Sequence, residues 1–272
     1  MNETPDKMLP TLRQTLHTQT FTELNECTAE AVRQSPADAE ARWLLFQLLC
    51  IGGEWLRALK HLQVWAMLTP RSDAKAQLYR GLVQAEIFRA DVFAGSRTPR
   101  FVVSPPDWVT RLLDANASFC TGDIHAADQL RQEAFDATPQ VQGSGPETGP
   151  FDWIADSDTR LGPMCEMATA GGYCWIPFEH LRALSLHPVT TLIDLVWRPA
   201  ALTLREATVL KGYMPTRYID SESGHETLKL AQETTWTDTG TTHVIGRGQK
   251  TWTTNQGDWG LLDITSCEFM DN

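Results

Sequence analysis

The sequence has little positive charge and no long hydrophobic run. Its 272 residues include 23 lysines and arginines against 34 aspartates and glutamates, which gives a formal net charge of −11. No stretch approaches the ~20 predominantly apolar residues that a membrane-spanning helix needs. A surface that binds nucleic acid or anionic lipid needs clustered positive charge, and no run of lysine and arginine supplies it. We therefore expect neither nucleic acid nor a membrane as a partner.

Cysteine pairs at the C-x-x-C spacing of metal and redox sites are also missing. The six cysteines are scattered along the chain. The first ten residues, MNETPDKMLP, lack the basic and then apolar pattern of a secretory signal peptide. We expect the cysteines to be reduced and mostly buried, and the protein to be cytoplasmic.

The common sequence signatures of enzymes are absent too. HExxH, GxSxG and the glycine fingerprint of dinucleotide-binding folds do not occur. Residues 246–251, GRGQKT, resemble a phosphate-binding loop only superficially, because the GxxxxGK[ST] spacing is missing. We interpret them as a glycine-rich β-turn. The sequence predicts no cofactor and no metal centre.

The first half of the chain has the apolar periodicity of α-helices. A predicted helical stripe begins at Leu9, and residues 39–51 and 55–68 form a predicted helical hairpin. A second hairpin is predicted from Asp107 onward. Stacked hairpins of this kind are typical of helical-repeat proteins.

Proline and glycine recur in this half with a regular spacing. Pro36 and Pro70 are 34 residues apart, which is the tetratricopeptide period. Gly53 lies 17 residues before Pro70, and Gly122 lies 17 residues before Pro139. The two predicted hairpins therefore resemble units of a degenerate tetratricopeptide array. Their superposition also aligns two alanines, at positions 58 and 127, where two helices need to approach closely.

A tetratricopeptide-like array offers a concave groove to a helix or an extended segment of a partner. By register, seven side chains are predicted to line this groove. They are Trp43, Gln47, Cys50, Ile51, Leu112, Asn116 and Phe119. The alternative is that these residues pack against neighbouring helices, because apolar residues at helical spacing usually belong to a core.

The composition changes after a segment rich in glycine and proline, QVQGSGPETGP at residues 140–150. Turn formers at this density cannot continue a helix, so we place a linker here. Residues 151–272 contain about six short β-favouring runs divided by turns, and the only convincing helix is at residues 224–234. Many short strands favour a small barrel or a strongly curved sheet. The predicted fold class is α+β in two domains: a tetratricopeptide-like helical domain at 1–139 and a small, barrel-like β-rich domain at 151–272.

The segment FDWIADSDTRLGP, from Phe151 onward, concentrates three aspartates and an arginine where the composition changes. Asp156 and Asp158 begin a pattern like a calcium-binding loop, but Arg160 stands where that loop requires Asp or Asn. A metal held by paired carboxylates is one interpretation. We favour another, in which both aspartates accept backbone N–H groups in a turn and Arg160 is their ion-pair partner.

FDWIADSDTRLGP is followed by YCWIPFEHL, DLVWRPAALTL, MPTRY and LLDI. In this order the blocks resemble the ImpE family, also called the SciE or TagJ family, over residues 151–264. The resemblance implies a helical, tetratricopeptide-like domain joined to a β-rich domain, and a structural role for eight motif residues. These are Trp153, Asp156, Asp158, Arg160, Gly162, Trp175, Pro177 and Trp197. We expect Trp153 to enter the core of the β-rich domain.

The ImpE family belongs to bacterial type VI secretion. The resemblance therefore implies a cytoplasmic, non-catalytic adaptor that binds an N-terminal helix of the small subunit of the contractile sheath. It also implies a link to the AAA+ ATPase that recycles contracted sheath. The family supplies no catalytic residue to carry over to this chain.

Two other functions remain open from the sequence. The first is an enzyme of unknown type, with Asp156, Asp158 and Arg160 as acid/base or ligand residues in a cleft between the domains. It predicts an accessible pocket in which the three side chains converge, whereas burial and mutual bonding would contradict it. The second is a scaffold that needs only homo-oligomerisation.

Overall fold

The computed structural model describes residues 19–270. The predicted helical stripe that begins at Leu9 lies outside these residues. Over the described range the protein is α+β, with helices in the N-terminal half and a strand-rich C-terminal region. None of the described helices is long and apolar enough to cross a membrane.

The helices of the described chain fall mainly before residue 140. They are α1 (Phe21–Gln34), α2 (Ala39–Ile51), α3 (Trp55–Leu68), α4 (Asp73–Phe93), α5 (Asp107–Cys120), α6 (Ile124–Asp136) and the single turn α7 (Glu226–Lys229). Short 3₁₀ segments lie at Phe178–His180, Leu192–Leu195 and Ser221–Ser223.

The strands of the same range are short. They are β1 (Arg100–Phe101), β2 (Gly143–Gly145), β3 (Gly149–Phe151), β4 (Ile154–Asp156), β5 (Met164–Thr169), β6 (Gly172–Pro177), β7 (Leu181–Leu186), β8 (Trp197–Leu204), β9 (Val209–Pro215), β10 (Thr234–Thr239), β11 (His243–Gly248), β12 (Thr251–Thr254), β13 (Gly257–Gly260) and β14 (Ser266–Phe269).

Both predicted helical hairpins form, as α2–α3 and α5–α6. The turn of each begins at an equivalent glycine with a positive φ, 71° at Gly53 and 88° at Gly122. The aligned alanines Ala58 and Ala127 are both buried, so each hairpin closes around a small side chain. The equivalence of the two hairpins agrees with the sequence spacing, while a tetratricopeptide array remains a prediction.

The main sheet has nine strands in the order β1-β6-β5-β9-β8-β7-β14-β2-β3. Its two edges, β1 and β3, do not pair with each other, so the predicted barrel-like closure is wrong for this sheet. A hairpin, β10–β11, and a three-stranded sheet, β13-β12-β4, accompany it. One edge strand, β1, comes from the helical half and pairs parallel to β6.

The predicted linker at 140–150 is not a free connection. Its residues enter the hairpin β2–β3, and β2 pairs with β14 near the C-terminal end of the described chain. Glycine permits this close pairing, because a Cβ on Gly143 would lie 2.5 Å from the carbonyl oxygen of Glu268. The helix predicted at 224–234 is also wrong in length. It covers only α7, and Ala231 follows with a φ of 53°, which a helix cannot continue.

Strands β5 and β6 are buried on both faces, and their side chains alternate between two cores. In β6, Tyr173 and Trp175 belong to a core shared with the helices, whereas Cys174 and Ile176 belong to a second core. This second core includes Trp252 of the three-stranded sheet. Burial on both faces explains why these two strands are mostly apolar instead of alternating regularly with polar residues.

The two turn glycines provide a matched test of backbone strain. Gly122→Ala is expected to lower the free energy of unfolding by about 1 kcal/mol, because only the left-handed φ is penalised. Gly53→Ala is expected to cost more, because its Cβ would also lie 2.4 Å from Cγ of Glu222, whereas nothing lies within 4 Å at Gly122. Urea unfolding followed by circular dichroism measures both. Equal losses would show that the Glu222 contact carries no energy.

Candidate functional site

The segment FDWIADSDTRLGP folds as a tight turn around Asp156 and Asp158. Asp156 Oδ1 accepts the backbone N–H of Asp158 at 3.0 Å, and Asp158 Oδ1 accepts that of Arg160 at 3.0 Å. The Arg160 guanidinium then binds Asp158, with Nη2 2.6 Å from Oδ2. Gly246 N donates to the same Oδ2 at 3.1 Å. Both aspartates thus accept backbone N–H groups in a turn, while Arg160 pairs with Asp158 and a different cation pairs with Asp156.

Lys250 connects this turn to the main sheet. It directly precedes β12, and because β12 pairs with β4 it arrives beside Asp156. Its Nζ lies 2.6 Å from Oδ2 of Asp156 and 2.7 Å from Oε1 of Glu166, the central residue of β5. The Tyr218 hydroxyl donates to Asp156 at 3.0 Å. The ammonium group is buried and is shared between two carboxylates.

Helix α4 completes the cluster from the helical half. Arg89 forms a bidentate pair with Glu166, at 2.6 Å from Nε and 2.7 Å from Nη2. Nη1 of Arg89 also binds Glu86 at 3.2 Å, and Trp197 Nε1 donates to Glu86 at 2.9 Å. We call Glu86, Arg89, Asp156, Glu166 and Lys250 the ionic seam, since they join α4, the main sheet and the small sheet.

Arg217 anchors a second helix to the same region. Its Nη1 donates to the carbonyl oxygens of Ile51 at 2.7 Å and of Lys229 at 2.6 Å. The carbonyls at the end of α2 lack partners within the helix, so the guanidinium satisfies them and complements the negative end of the helix dipole. Arg89 Nη2 in turn donates to the carbonyl oxygen of Arg217 at 2.9 Å.

The electrostatics of the seam follow from burial and pairing. Burial works to raise the pKa of Glu166, but Arg89 and Lys250 outweigh it and lower the pKa to about 2. Burial raises the pKa of Asp156 to about 6 against the opposing effect of Lys250. Burial likewise raises the pKa of Glu86. Glu166 is thus the firmly ionised centre of the seam.

This arrangement does not provide the open, convergent pocket that the enzyme hypothesis requires. Asp158 and Arg160 are buried and bonded to each other, and Asp156 is 2% exposed. Among the described residues, no three His, Cys, Asp or Glu side chains are placed to hold a metal ion. The charged groups are committed to internal partners, as in a structural ion cluster.

The structure places most of the predicted groove residues in the interior. Five of the seven are buried: Gln47, Cys50, Ile51, Leu112 and Asn116. Residues 45–51 are all buried, so the second half of α2 is enclosed on every side, and Leu112 and Asn116 are buried in α5. Asn116 binds internally, donating from Nδ2 to the carbonyl oxygen of Arg160 at 2.8 Å.

The other two predicted groove residues, Trp43 and Phe119, are partly exposed. Trp43 packs on Trp65 at 4.7 Å between ring centroids, with Lys75 Nζ 3.9 Å above its ring. Phe119 stacks on His243 at 3.5 Å between centroids. The two aromatics lie in separate clusters within the chain, so the seven residues do not form one surface.

The remaining motif residues lie in packed positions, with one difference from expectation. Trp175, Pro177 and Trp197 are buried in strands, and Gly162 has a φ of 54° with Phe135 packed where a Cβ would stand. Trp153 is only half-buried and does not enter the core. It lines a surface cavity of about 340 Å³ opposite Phe135.

Four of the five seam residues, Glu86, Arg89, Glu166 and Lys250, are not among the predicted site residues. Glu166 is the only charged residue of the strand MCEMAT, and a lone charge in a mostly buried strand is the available signal. Lys250 was assigned to a glycine-rich turn, although it is fully buried. Its partner Asp156 lies 94 positions away, so no local pattern indicates the pair.

Fold and seam together define an α+β protein whose motif residues join a helical half to a strand-rich half. The ImpE family model matches residues 148–268. The chain is 38% identical over 241 residues to the type VI secretion system accessory component TagJ of Pseudomonas aeruginosa, covering 88% of this chain and 84% of TagJ. The crystal structure of protein VPA1032 from Vibrio parahaemolyticus superposes with a TM-score of 0.87 at 26% identity, over 96% of this chain and 97% of that one. The chain belongs to the ImpE family, as the predicted resemblance indicated.

Breaking the seam at Arg89 is expected to be costly. Arg89→Met leaves Glu86 and Glu166 buried with a lost partner, so the free energy of unfolding should fall by about 3–5 kcal/mol. In the double variant with Glu166→Met the free energy of unfolding should fall less, because neither charge of the pair between positions 89 and 166 then remains. Chemical denaturation measures both variants. As a matched control, Arg33→Met removes an exposed pair with Glu30 and should change stability only slightly. A loss at Arg89 no larger than at Arg33 would contradict a stabilising seam.

His243 is expected to make stability depend on pH. Its ring is buried, and neither ring nitrogen has a hydrogen-bond partner among the described residues. Burial, Arg131 and Arg160 together lower the pKa of His243 to about 4, against the opposing effect of Asp158 and Asp128. Its contribution to stability is therefore complete above the ordinary pKa of about 6.5 and is lost as pH falls toward 4, by at most about 3 kcal/mol.

The comparison that isolates this contribution is wild type against His243→Leu, each unfolded at several pH values between 4 and 7. Asp156 acts in the opposite direction, because its pKa is raised to about 6 and its contribution falls as pH rises. The difference between the two curves removes this effect. Parallel curves would show that His243 does not titrate differently in the folded protein.

Proposed function

We propose that this protein is a non-catalytic adaptor of a bacterial type VI secretion system and acts in the cytoplasm. The observation that carries the proposal is its 38% identity, over most of both chains, to a protein named as an accessory component of that system. The ionic seam supports the non-catalytic part, since the charged motif residues bind one another and are withdrawn from solvent.

The proposed partner is the small subunit of the contractile sheath, bound through its N-terminal helix. We further propose a link to the AAA+ ATPase that recycles the sheath. The two helical hairpins with equivalent turns support a tetratricopeptide-like framework, a kind of scaffold that commonly receives a helix or an extended segment. In this proposal the helical half and the β-rich half act as one body, because they share a core and the seam.

The direct test is calorimetry with the purified small sheath subunit, full length and without its first helix. Saturable binding of the full-length subunit is expected, with at least a hundredfold loss of affinity after the deletion. A synthetic peptide of the helix should compete, and a peptide of the same composition in scrambled order is the control. Unchanged affinity after the deletion would exclude the helix as the recognised element. Absence of binding by the full-length subunit would exclude this partner altogether.

A further inference from the structure

A cleft of about 800 Å³ separates the first half of α4 from the sheet. The second half of α4 is held against β5 by the bidentate contact of Arg89 with Glu166. Toward its beginning the helix no longer meets the sheet closely, and the cleft opens between α4 on one side and β5, β8 and β9 on the other. The cleft is thus fixed in shape by the ionic seam next to it.

Small residues make up much of both walls. Ala74 and Gly81 lie on the helix side, and Ala170, Ala201 and Gly212 lie on the sheet side. Gly81 is the most informative of these residues, because a glycine inside a helix lowers the stability of the helix by about 1 kcal/mol relative to alanine. A Cβ at this position would meet no atom within 4 Å. Packing within the described chain therefore does not require Gly81, whereas a close neighbour in the cleft would.

The charge of the cleft is opposite to that of the protein. The chain has a formal net charge of −11, yet none of the described residues that line the cleft is acidic. Arg80 stands on the helix wall and Lys211 on the sheet wall, and both are exposed. His187 is a further lining residue. An occupant with acidic groups along its sides would meet a cation on each wall.

We propose that this cleft receives an amphipathic helix whose apolar stripe lies against Leu78 and the small residues, and whose flanks carry acidic residues opposite Arg80 and Lys211. A helix is about 10 Å across with its side chains and rises about 1.5 Å per residue, so a volume of this size holds about two turns. The inference rests on the proposed function, in which the helix is the first helix of the small sheath subunit, and adds the surface and the charge that recognise it.

The test uses the full chain with substitutions that fill the cleft. Gly81→Leu places a large side chain into the space, and leucine is a good helix former at an open position, so the fold is retained. It should weaken binding of the small sheath subunit at least tenfold. Gly81→Ala should raise the thermal midpoint of unfolding and weaken binding less. Gln129→Leu, at an exposed position of α6 outside the cleft, is the control and should bind as the wild type does.

Charge reversal gives an independent measurement. Arg80→Glu with Lys211→Glu should reduce affinity at least tenfold and lessen its dependence on salt, because two attractive pairs are lost. Arg111→Glu, at an exposed arginine of α5 outside the cleft, should have little effect. A partner helix whose acidic residues are replaced by lysine should bind the charge-reversed cleft. The same helix should bind the wild-type cleft only weakly.

The outcomes separate this inference from the proposed function. If deleting the partner helix abolishes binding while the cleft variants bind normally, the function stands and the cleft assignment is overturned. If the wild type does not bind the sheath subunit, both are overturned. Loss of binding in the cleft variants, with the controls unaffected and unfolding midpoints at or above that of the wild type, supports the cleft as the docking surface.

Discussion

The bidentate contact between Arg89 and Glu166 is the interaction on which the arrangement of this protein depends. It joins a helix to the centre of a sheet in a region from which water is excluded, and the two residues are 77 positions apart in the sequence. An ion pair in such a place contributes stability only when its remaining donors and acceptors are also satisfied. Here Tyr173, Glu86 and Lys250 provide these contacts. Asp156, in the turn of the family motif, is linked to the same pair through Lys250.

This arrangement gives the family motif a physical meaning. Its aspartates and arginine set the direction of the chain as it enters the sheet, and Asp156 extends that turn to Lys250. The motif thus helps to hold the strand-rich half against the helical half. Because those contacts also fix the second half of α4, the width of the neighbouring cleft follows from them. The buried motif and the accessible cleft therefore depend on the same set of contacts.

The sequence was sufficient where structure is determined locally. The two helical hairpins, their turn glycines and the β-favouring runs around Trp175 and Trp197 all follow from periodicity and turn chemistry. It failed where distant segments meet. The helical register predicts Cys50 and Ile51 in a groove. Arg217, 166 residues beyond Ile51, instead donates to a carbonyl oxygen at the end of their helix, and that end of the helix is buried. The glycine content of residues 143–151 predicts a flexible linker. In the structure these residues form a hairpin, and Gly143 and Gly145 permit its close strand pairing. The cleft was not foreseen either, since its walls come from α4 and from strands more than 80 residues later.

The two edges of the main sheet have a consequence for how the protein avoids sticking to copies of itself. An exposed strand edge is a template for aggregation, and proteins commonly shorten such edges or place proline in them. Here β1 has only two residues, and β3 has three, of which the middle one is Pro150 and cannot donate a hydrogen bond. A foreign strand would therefore meet only two residues of backbone at β1 and a backbone interrupted by proline at β3. At the two edges of the main sheet, contacts with other proteins therefore fall to side chains more than to paired backbones.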